Sequence, residues 1–312
     1  MKRFLFAAAV ILMLGFLLKY PGEALAASRD GLDLWLNTLL PTLLPFMILT
    51  NILIRTETAE KITAPARDLW KFLLGVSPSG AYALILGLLC GYPMGAKITA
   101  DMYRHEKICK REAEYLLTFT NHASPVFIHT YLIHICLNDR AEKRTLTVIL
   151  LLSALFTMLF FRFIVYRNHT TEEKLCTGSK KEASALCSPG TALDTSIMNG
   201  FETITRLGGY ILLFSVLSAC VRHYRKTVTA ADYLILGSLE LTTGLHLLAG
   251  SAMTYELKYV IAATLTSFGG FCILAQTKSV LSEGLSILPY LAAKCLNAVF
   301  TALLILVFFK IV

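Results

Sequence analysis

The chain has 312 residues, of which 55% are hydrophobic and only 16% are charged, and its mean hydropathy is +0.62. Soluble domains are about 45–50% apolar and about 25% charged. The composition therefore indicates a polytopic membrane protein, and several apolar runs reach the length of about 18 residues that crosses a bilayer. The net charge of +8 does not indicate nucleic-acid binding, because the Lys and Arg residues lie between the apolar runs, as in membrane proteins.

Apolar runs and polar interruptions divide the chain into predicted elements. An amphipathic stretch at 30–38 leads into span B, a basic polar loop follows it, and a hydrophilic linker covers 167–197. Two further apolar segments, 79–103 and 232–251, are broken by Gly, Pro or charged residues. The predicted spans are A at 3–20, B at 39–55, C at 113–137, D at 145–166, E at 207–222, F at 257–276 and G at 288–309.

Residues 1–27 allow two interpretations. Lys2 and Arg3, the apolar run Phe4–Leu18 and the small residues at 24–26 have the pattern of a cleaved signal peptide. The same features fit a retained first transmembrane helix. We favour retention, because further spans follow.

Neither a metal site nor an enzyme is indicated by the remaining motifs. Most of the eight cysteines lie in apolar runs, where a thiol acts as a small hydrophobe. Cys176 and Cys187 flank a polar loop without a second pair or histidines at zinc-ligand spacing. Signatures of zinc proteases, P-loop ATPases and serine hydrolases are missing from the sequence. We therefore expect no enzymatic activity, no cofactor and no metal.

The two halves of the chain resemble each other. Leu-Ile-Leu-Gly occurs at 84–87 and again at 234–237. The aligned segments are 30–53 with 199–221, 84–98 with 234–248, and 118–128 with 262–273. Three matches in the same order indicate a duplication, with a first repeat at 28–166 and a second at 198–312.

The charge pattern around the first broken segment suggests its topology. Basic clusters lie on both sides of it, at 55–71 and at 104–111, and a re-entrant hairpin would keep both in the cytoplasm. Three crossings per repeat, B, C and D, then invert the second repeat, as in many secondary transporters. The basic residues at 140–144 and 222–226 would lie outside and argue against this orientation. The predicted fold is an all-α inverted repeat of about three transmembrane helices plus a re-entrant helical hairpin, with an extra N-terminal helix.

The first hairpin tip is the first candidate binding element. A broken backbone inside a membrane exposes unpaired N–H and C=O groups, so it persists only when it is buried in protein or lines a wet cavity. Gly91 and Gly95 allow close backbone approach, and Pro93, after Tyr92, blocks helix continuation. Lys97 could bind a solute or reach the interface. The alternative is an ordinary kinked helix.

The second hairpin tip contains a carboxylate inside an apolar segment, which is costly and indicates function. Glu240 is followed by Thr242, Thr243 and Gly244. The carboxylate could bind a solute hydroxyl, a coupling cation or a proton. The alternative is a structural pair of Glu240 with Lys97 or His246.

Spans C and F have matching interruptions. In span C, Ser124 precedes Pro125 and helical geometry is disfavoured there, while Asn121 offers both a donor and an acceptor. The alternative for the glycine pair of span F is close helix packing. The candidate residues of span F are Ser267, Gly269, Gly270 and Gln276.

Two long blocks resemble a known family. "GLDLWLNTLLPTLLPFMILTNILI" at 31–54 is similar to the opening of the YlbJ-type sporulation integral membrane proteins, and "GYPMGAKITADMYRHEKICKREAEYLLTFTNHASPVFI" at 91–128 resembles their Gly-Tyr-Pro-x-Gly-Ala-Lys block and the Asn-containing block after it. "ELTTG" and "TSFGGFCILAQ" fit more loosely. Met94 stands where the family often has a small polar residue, so a hydroxyl is missing from this tip.

The resemblance implies a Gate, or nucleoside-recognition, membrane core and a role in spore cortex formation. We expect a transporter or gated pore for a small polar solute, with nucleosides as one candidate class and Na⁺ or H⁺ left open as coupling ion. The alternative is a non-transporting scaffold that recruits cortex-assembly partners through the linker at 167–197. The expected partners are the solute and the lipid bilayer, with no nucleic acid, and a homo-oligomer or sporulation membrane proteins are candidates. The expected location is the bacterial inner membrane or a membrane surrounding the forespore.

Overall fold

The computed structural model describes residues 2–56, 58–167, 189–225 and 229–311, and every regular element among them is a helix. In chain order the helices are α1 (Lys2–Lys19), α2 (Pro21–Arg55), α3 (Thr58–Thr63), α4 (Arg67–Leu73), α5 (Pro78–Cys90), α6 (Met94–Arg104), α7 (Lys110–Leu117), α8 (Phe127–Cys136), α9 (Lys143–Val165), α10 (Pro189–His223), α11 (Ala230–Leu239), α12 (Leu241–Ala249), α13 (Tyr255–Phe268), α14 (Gly270–Val280) and α15 (Leu288–Ile311).

Five helical stretches in the described part of the chain are long and apolar enough to cross a membrane: α2, α9, α10, α13 together with α14, and α15. Their outer faces carry half-exposed leucines such as Leu151, Leu213 and Leu303, which suit contact with lipid. The prediction of an all-α polytopic membrane protein is thereby confirmed. The duplication and its inversion stay predictions.

Predicted spans A and C differ from these five. Span A corresponds to α1, an apolar helix of 18 residues. Span C is divided into α7 and α8 by a non-helical segment at 121–124, because Pro125 and the polar residues before it end the regular hydrogen bonding. The interruption that the sequence indicated is therefore present, and each half is short.

Two segments expected to be irregular contain helices. The basic stretch after span B forms α3 and α4, and this helical stretch meets α5 at an angle of 88°. Helix α10 begins at Pro189, inside the predicted linker 167–197, because Ala192 and Ser196 bury one face of its first turns. The linker residues 168–188, with Cys176 and Cys187, lie outside the described residues.

Helices α2 and α10 form a long antiparallel pair. Near the start of α2, a Cβ on Gly31 would lie 2.8 Å from Ser215 Oγ, and near its end Leu44 lies against Gly200. Between these contacts the indole nitrogen of Trp35 donates to the carbonyl oxygen of Ile204 at 2.8 Å. Glycines thus bring the two helices together at two places along the contact.

The two broken segments each form a pair of helices packed against each other. The first hairpin consists of α5 and α6 and the second of α11 and α12. Gly87 meets Gly95 across the first hairpin, and Gly237 meets Gly244 across the second. Small residues allow this close approach within each hairpin. The pairing excludes an ordinary kinked helix for the first segment, whereas re-entry from one side of the membrane stays a prediction.

Candidate functional site

The tip of the first hairpin is shaped by glycines and held by the break in span C. Gly91 has φ +80°, a left-handed conformation that favours glycine, and the following Tyr92–Pro93 peptide is cis. A Cβ on Gly91 would lie 2.6 Å from the Ser124 nitrogen. Gly95 lies against the carbonyl of Thr120, where a Cβ would be 2.0 Å from the oxygen. The non-helical part of span C therefore lies directly on the first hairpin.

Lys97 is buried in an ion pair within its own helix. Its Nζ donates to Asp101 Oδ2 at 2.5 Å, and Arg104 donates to the other oxygen of Asp101 at 2.9 Å. The side chain therefore neither reaches the interface nor stands free for a solute in this conformation. The spacing of four residues between Lys97 and Asp101 was a sequence signal for this pair.

Glu240 caps the second half of the second hairpin. Its carboxylate accepts from the Thr243 nitrogen at 2.6 Å and from the Thr242 hydroxyl at 2.7 Å, as an N-cap residue does. Among the contacts of the described residues, it pairs with neither Lys97 nor His246. Gly244 approaches Gly237 so closely that a Cβ would lie 2.1 Å from its Cα.

The break in span C carries polar side chains into the protein interior. Asn121 Nδ2 donates to Thr277 Oγ1 and to the Tyr290 hydroxyl, both at 3.1 Å, so the span C break is bonded to α14 and α15. The hydroxyl of Ser124 accepts from the Phe127 nitrogen at 3.1 Å and caps α8. Pro125, the third predicted residue of this break, lines a small cavity.

The break in span F lies between two glycines with positive φ. Gly269 has φ +88° and Gly270 has φ +86°, and a Cβ on Gly270 would lie 3.0 Å from the carbonyl oxygen of Ser238 in the second hairpin. Both close packing and unusual backbone geometry thus require glycine there. Ser267 bonds the Thr301 hydroxyl at 2.6 Å. Gln276 is buried and donates to Cys272 Sγ at 3.3 Å.

The two hairpin tips are connected through span C and a shared apolar cluster. Tyr92 of the first tip packs against the apolar cluster that contains Leu241 of the second. Tyr92 also lies within electrostatic range of Glu240. The Tyr131 hydroxyl of α8 donates to the Thr242 carbonyl oxygen at 2.8 Å and fastens the second tip to span C. The predicted tips and breaks are therefore parts of one buried region.

A buried lysine on α15 also belongs to this region. The sequence analysis did not select it as a candidate site residue. Lys294 is 3% exposed, and its Nζ lies 3.4 Å from the Ser267 carbonyl oxygen. Its ammonium is 5.9 Å from the centre of the Tyr92 ring and 5.8 Å from that of Tyr290. The sequence did contain a signal for Lys294. A charged residue in an apolar span indicates function, and this was the reason for selecting Glu240.

Further polar residues that the sequence analysis did not select extend the region to α9. Asn297 Nδ2 lies 3.5 Å from the same Ser267 oxygen, and Thr301 Oγ1 donates to Ser153 Oγ at 2.9 Å. Thr157 is 3.4 Å from Asn297 Oδ1. These small polar side chains recur every three or four residues on facing helices, a spacing that is hard to notice within strongly apolar spans.

A cavity of about 130 Å³ adjoins both breaks. Its polar wall comprises His122, Thr147, Thr266, Ser267 and Asn297, and leucines and Ile128 form most of its apolar wall. Within the described residues, three nearby polar atoms find no hydrogen-bond partner, which is uncommon for buried groups. These atoms are Tyr92 Oη, Asn121 Oδ1 and His122 Nε2. A larger open cleft of about 810 Å³ lies by α10 and Arg55 and contains none of the predicted site residues.

Two further titratable residues, Glu112 and His105, lie at helix ends outside the membrane spans. Glu112 of α7 accepts from the Ser77 nitrogen at 2.6 Å, at the start of α5. Burial raises the pKa of Glu112, although the hydrogen bonds from Ser77 act in the opposite direction. Burial lowers the pKa of His105, with the Asp101 carboxylate acting against it. Within the described residues, no three His, Cys, Asp or Glu side chains are grouped to hold a metal.

The fold defines a multi-pass α-helical membrane protein with two helical hairpins and two broken helices around a buried polar region. The sporulation integral membrane protein YlbJ of Bacillus subtilis (strain 168) is 25% identical to this chain over 341 residues, which cover 98% of the chain and 82% of YlbJ. This similarity confirms the predicted resemblance to YlbJ-type sporulation membrane proteins. No protein-family model and no solved structure matches the chain, and the Gate domain stays a prediction.

Proposed function

We propose that the chain is a transporter or gated pore that moves a small polar solute across the membrane without changing it chemically. The observation that carries the proposal is the contact of each hairpin with a helix break, Gly91 with Ser124 and Ser238 with Gly270, around buried polar side chains. Such interrupted helices in both halves of a chain are the usual binding elements of secondary transporters. In this proposal the hairpins and breaks move as a core against the long helices α2 and α10.

Uptake into proteoliposomes tests this proposal. A panel of labelled polar solutes, nucleosides included, is offered to vesicles with and without the purified chain. The variants Asn121→Ala and Glu240→Ala should lower the flux, because Asn121 joins the span C break to α14 and α15 and Glu240 caps the second tip. Matched controls are Asn37→Ala and Glu202→Ala. Their exposed side chains bond to Asp33 and Arg206, each four residues away on the same helix.

The outcomes separate transport from other roles. Flux above that of protein-free vesicles, reduced in Asn121→Ala and unchanged in Asn37→Ala, supports the proposal. Equal flux in all variants removes these residues from the site. No flux for any solute of the panel contradicts a transport role.

We further propose that the protein acts in sporulation, in cortex formation. The similarity to YlbJ over nearly the whole chain supports this role. The chain should restore heat-resistant spores to a Bacillus subtilis strain that lacks YlbJ, with YlbJ itself as the positive control. If Asn121→Ala and Glu240→Ala complement fully while deletion of residues 168–188 does not, the scaffold alternative replaces transport.

A further inference from the structure

The unpaired main-chain carbonyls at the carboxyl end of α13 favour a positive charge beside them. The last carbonyls of a helix have no partner within the helix and carry a partial negative charge. Ser267 belongs to this last turn, and the chain leaves helical geometry at Gly269, whose φ is +88°. In membrane transporters, the carboxyl ends of broken helices hold the coupling cation.

Lys294 supplies a positive charge at this position. Its Nζ and the Asn297 Nδ2 both approach the Ser267 oxygen, at 3.4 and 3.5 Å. These distances are long for hydrogen bonds, so the ammonium acts mainly as a charge beside the carbonyl dipole. The rings of Tyr92 and Tyr290 lie within about 6 Å of the ammonium, as in cation–π contacts.

The surroundings of Lys294 differ from those of Lys97 and Lys258. Lys97 is paired with the carboxylate of Asp101 at 2.5 Å, and Lys258 donates to the Ala249 carbonyl at 2.9 Å. Within the part of the chain that the structure describes, the polar contacts of Lys294 are neutral groups. Carbonyl dipoles and aromatic faces without a carboxylate are the ligands of a site for one monovalent cation.

The ammonium also joins the elements that the proposed function sets in motion. It contacts the first hairpin tip through Tyr92 and the span F break through Ser267, while its own main chain belongs to α15. A coupling ion must lie where it can join such elements in one state and release them in another. Lys294 occupies such a position.

We propose that the ammonium of Lys294 is a tethered cation that takes the place of a coupling Na⁺ at the carboxyl end of α13, so that the protein binds and needs no sodium. The part of this inference that concerns a coupling ion rests on the proposed transport function. The site itself is a monovalent-cation site, and removal of the lysine should open it to a free cation of matching size.

Thermal unfolding of the purified full-length chain tests the site without any transport assay. Wild-type protein should melt at the same temperature in sodium chloride and in choline chloride of equal ionic strength. Lys294→Ala should melt lower in choline, and Na⁺ or propylammonium should raise its melting temperature saturably. At ten times the dissociation constant, the expected rise is about 3 °C.

Lys258→Ala is the matched control, since it also removes an ammonium bonded to a main-chain carbonyl. It should respond equally to all the salts. The proposal is overturned if Lys294→Ala shows no cation-specific rise, or if Lys258→Ala shows the same rise. Lys294→Met, which keeps the length of the side chain, replaces the alanine variant if that variant does not fold.

The wild-type protein decides the question even if both variants fail. Specific stabilisation of wild-type protein by Na⁺, or solute uptake that requires Na⁺, overturns the tethered-cation inference while leaving transport intact. Uptake that proceeds equally in sodium and choline supports it. A failure of all solutes to be transported contradicts the proposed function, whereas the salt dependence of the melting temperature still tests the site.

Discussion

A single methyl group should dislodge the span C break from the first hairpin. Gly95 lies in α6, and a Cβ placed on it would be 2.0 Å from the Thr120 carbonyl oxygen and 2.6 Å from its carbon. Carbon and oxygen atoms in contact are normally about 3.3 Å or more apart. In Gly95→Ala, the main chain at Thr120 must therefore move by about 1 Å.

The expected loss of stability follows from two opposing effects. Overpacking of a core costs about 1–3 kcal/mol, and the upper end applies because the obstacle is main chain rather than a flexible side chain. Alanine in place of glycine in a helix regains up to about 1 kcal/mol. We expect a net loss of about 2 kcal/mol, which corresponds to a fall in Tm of about 4 °C.

The assay uses the cysteines of the protein as reporters. Cys90, Cys136, Cys220 and Cys272 are buried free thiols, so a thiol-reactive dye reports their exposure on heating. Gly209→Ala on α10 is the control, because nothing lies within 4 Å of its added Cβ. It should melt at or above the wild-type temperature. If Gly95→Ala melts as high as Gly209→Ala, the described contact between α6 and the break is incorrect.

Three further substitutions test other parts of the molecule. Asp101→Asn should cost about 3 kcal/mol in thermal unfolding, because it leaves Lys97 as a buried unpaired charge. Glu112→Gln should flatten the dependence of Tm on pH. Burial raises the pKa of Glu112, so its contribution to stability is complete at acidic pH and is lost as the pH rises through the raised pKa. Trp35→Phe should cost about 1 kcal/mol, because the bond to the Ile204 carbonyl is lost while the ring packing stays.

Asp101→Asn and Glu112→Gln each have a control. Arg206→Met breaks an exposed ion pair and should cost at most about 1 kcal/mol, and an equal loss in Asp101→Asn would contradict a buried pair. Burial lowers the pKa of His105, so its effect on stability has the opposite sign from that of Glu112. The difference between wild type and Glu112→Gln at each pH isolates Glu112. Parallel pH curves for the two proteins would refute its assigned role.

Local sequence signals were sufficient to predict the breaks in the helices. Glycine, proline and charged residues interrupt helices for reasons of backbone geometry that neighbouring residues do not alter. The predicted hairpin at 79–103 therefore corresponds closely to α5 and α6, and 232–251 to α11 and α12. The break before Pro125 and the glycine pair of span F were visible for the same reason.

Pairing between distant residues was not predictable from such signals. Lys294 and Asn297 are separated by one helical turn within a span whose average composition is apolar, and only the fold brings them to Ser267. Likewise, the alternative for Glu240 was a pair with Lys97 or His246, whereas its carboxylate accepts from Thr243 at the start of its own helix. Knowledge of a polar residue's position in a span does not specify the group that it binds.

The contacts between α2 and α10 provide a structural argument for the predicted duplication. The alignment of 30–53 with 199–221 makes Gly31 equivalent to Gly200 and Trp35 equivalent to Ile204. Gly31 contacts the partner helix at Ser215, and Gly200 contacts α2 at Leu44 and Met47, on either side of the position equivalent to Ser215. Trp35 bonds its own equivalent, Ile204.

Reciprocal contacts of this kind arise when two equivalent helices are related by a two-fold axis, since residue i then meets j and j meets i. The Trp35–Ile204 bond would lie on that axis. Within the hairpins, Gly87 and Gly237 are equivalent and each meets a glycine of the same hairpin, although those two glycines, Gly95 and Gly244, are one position out of register in the alignment. A chain of two unrelated halves has no reason to place its helix contacts at aligned positions, so these contacts favour duplication over chance similarity between apolar segments.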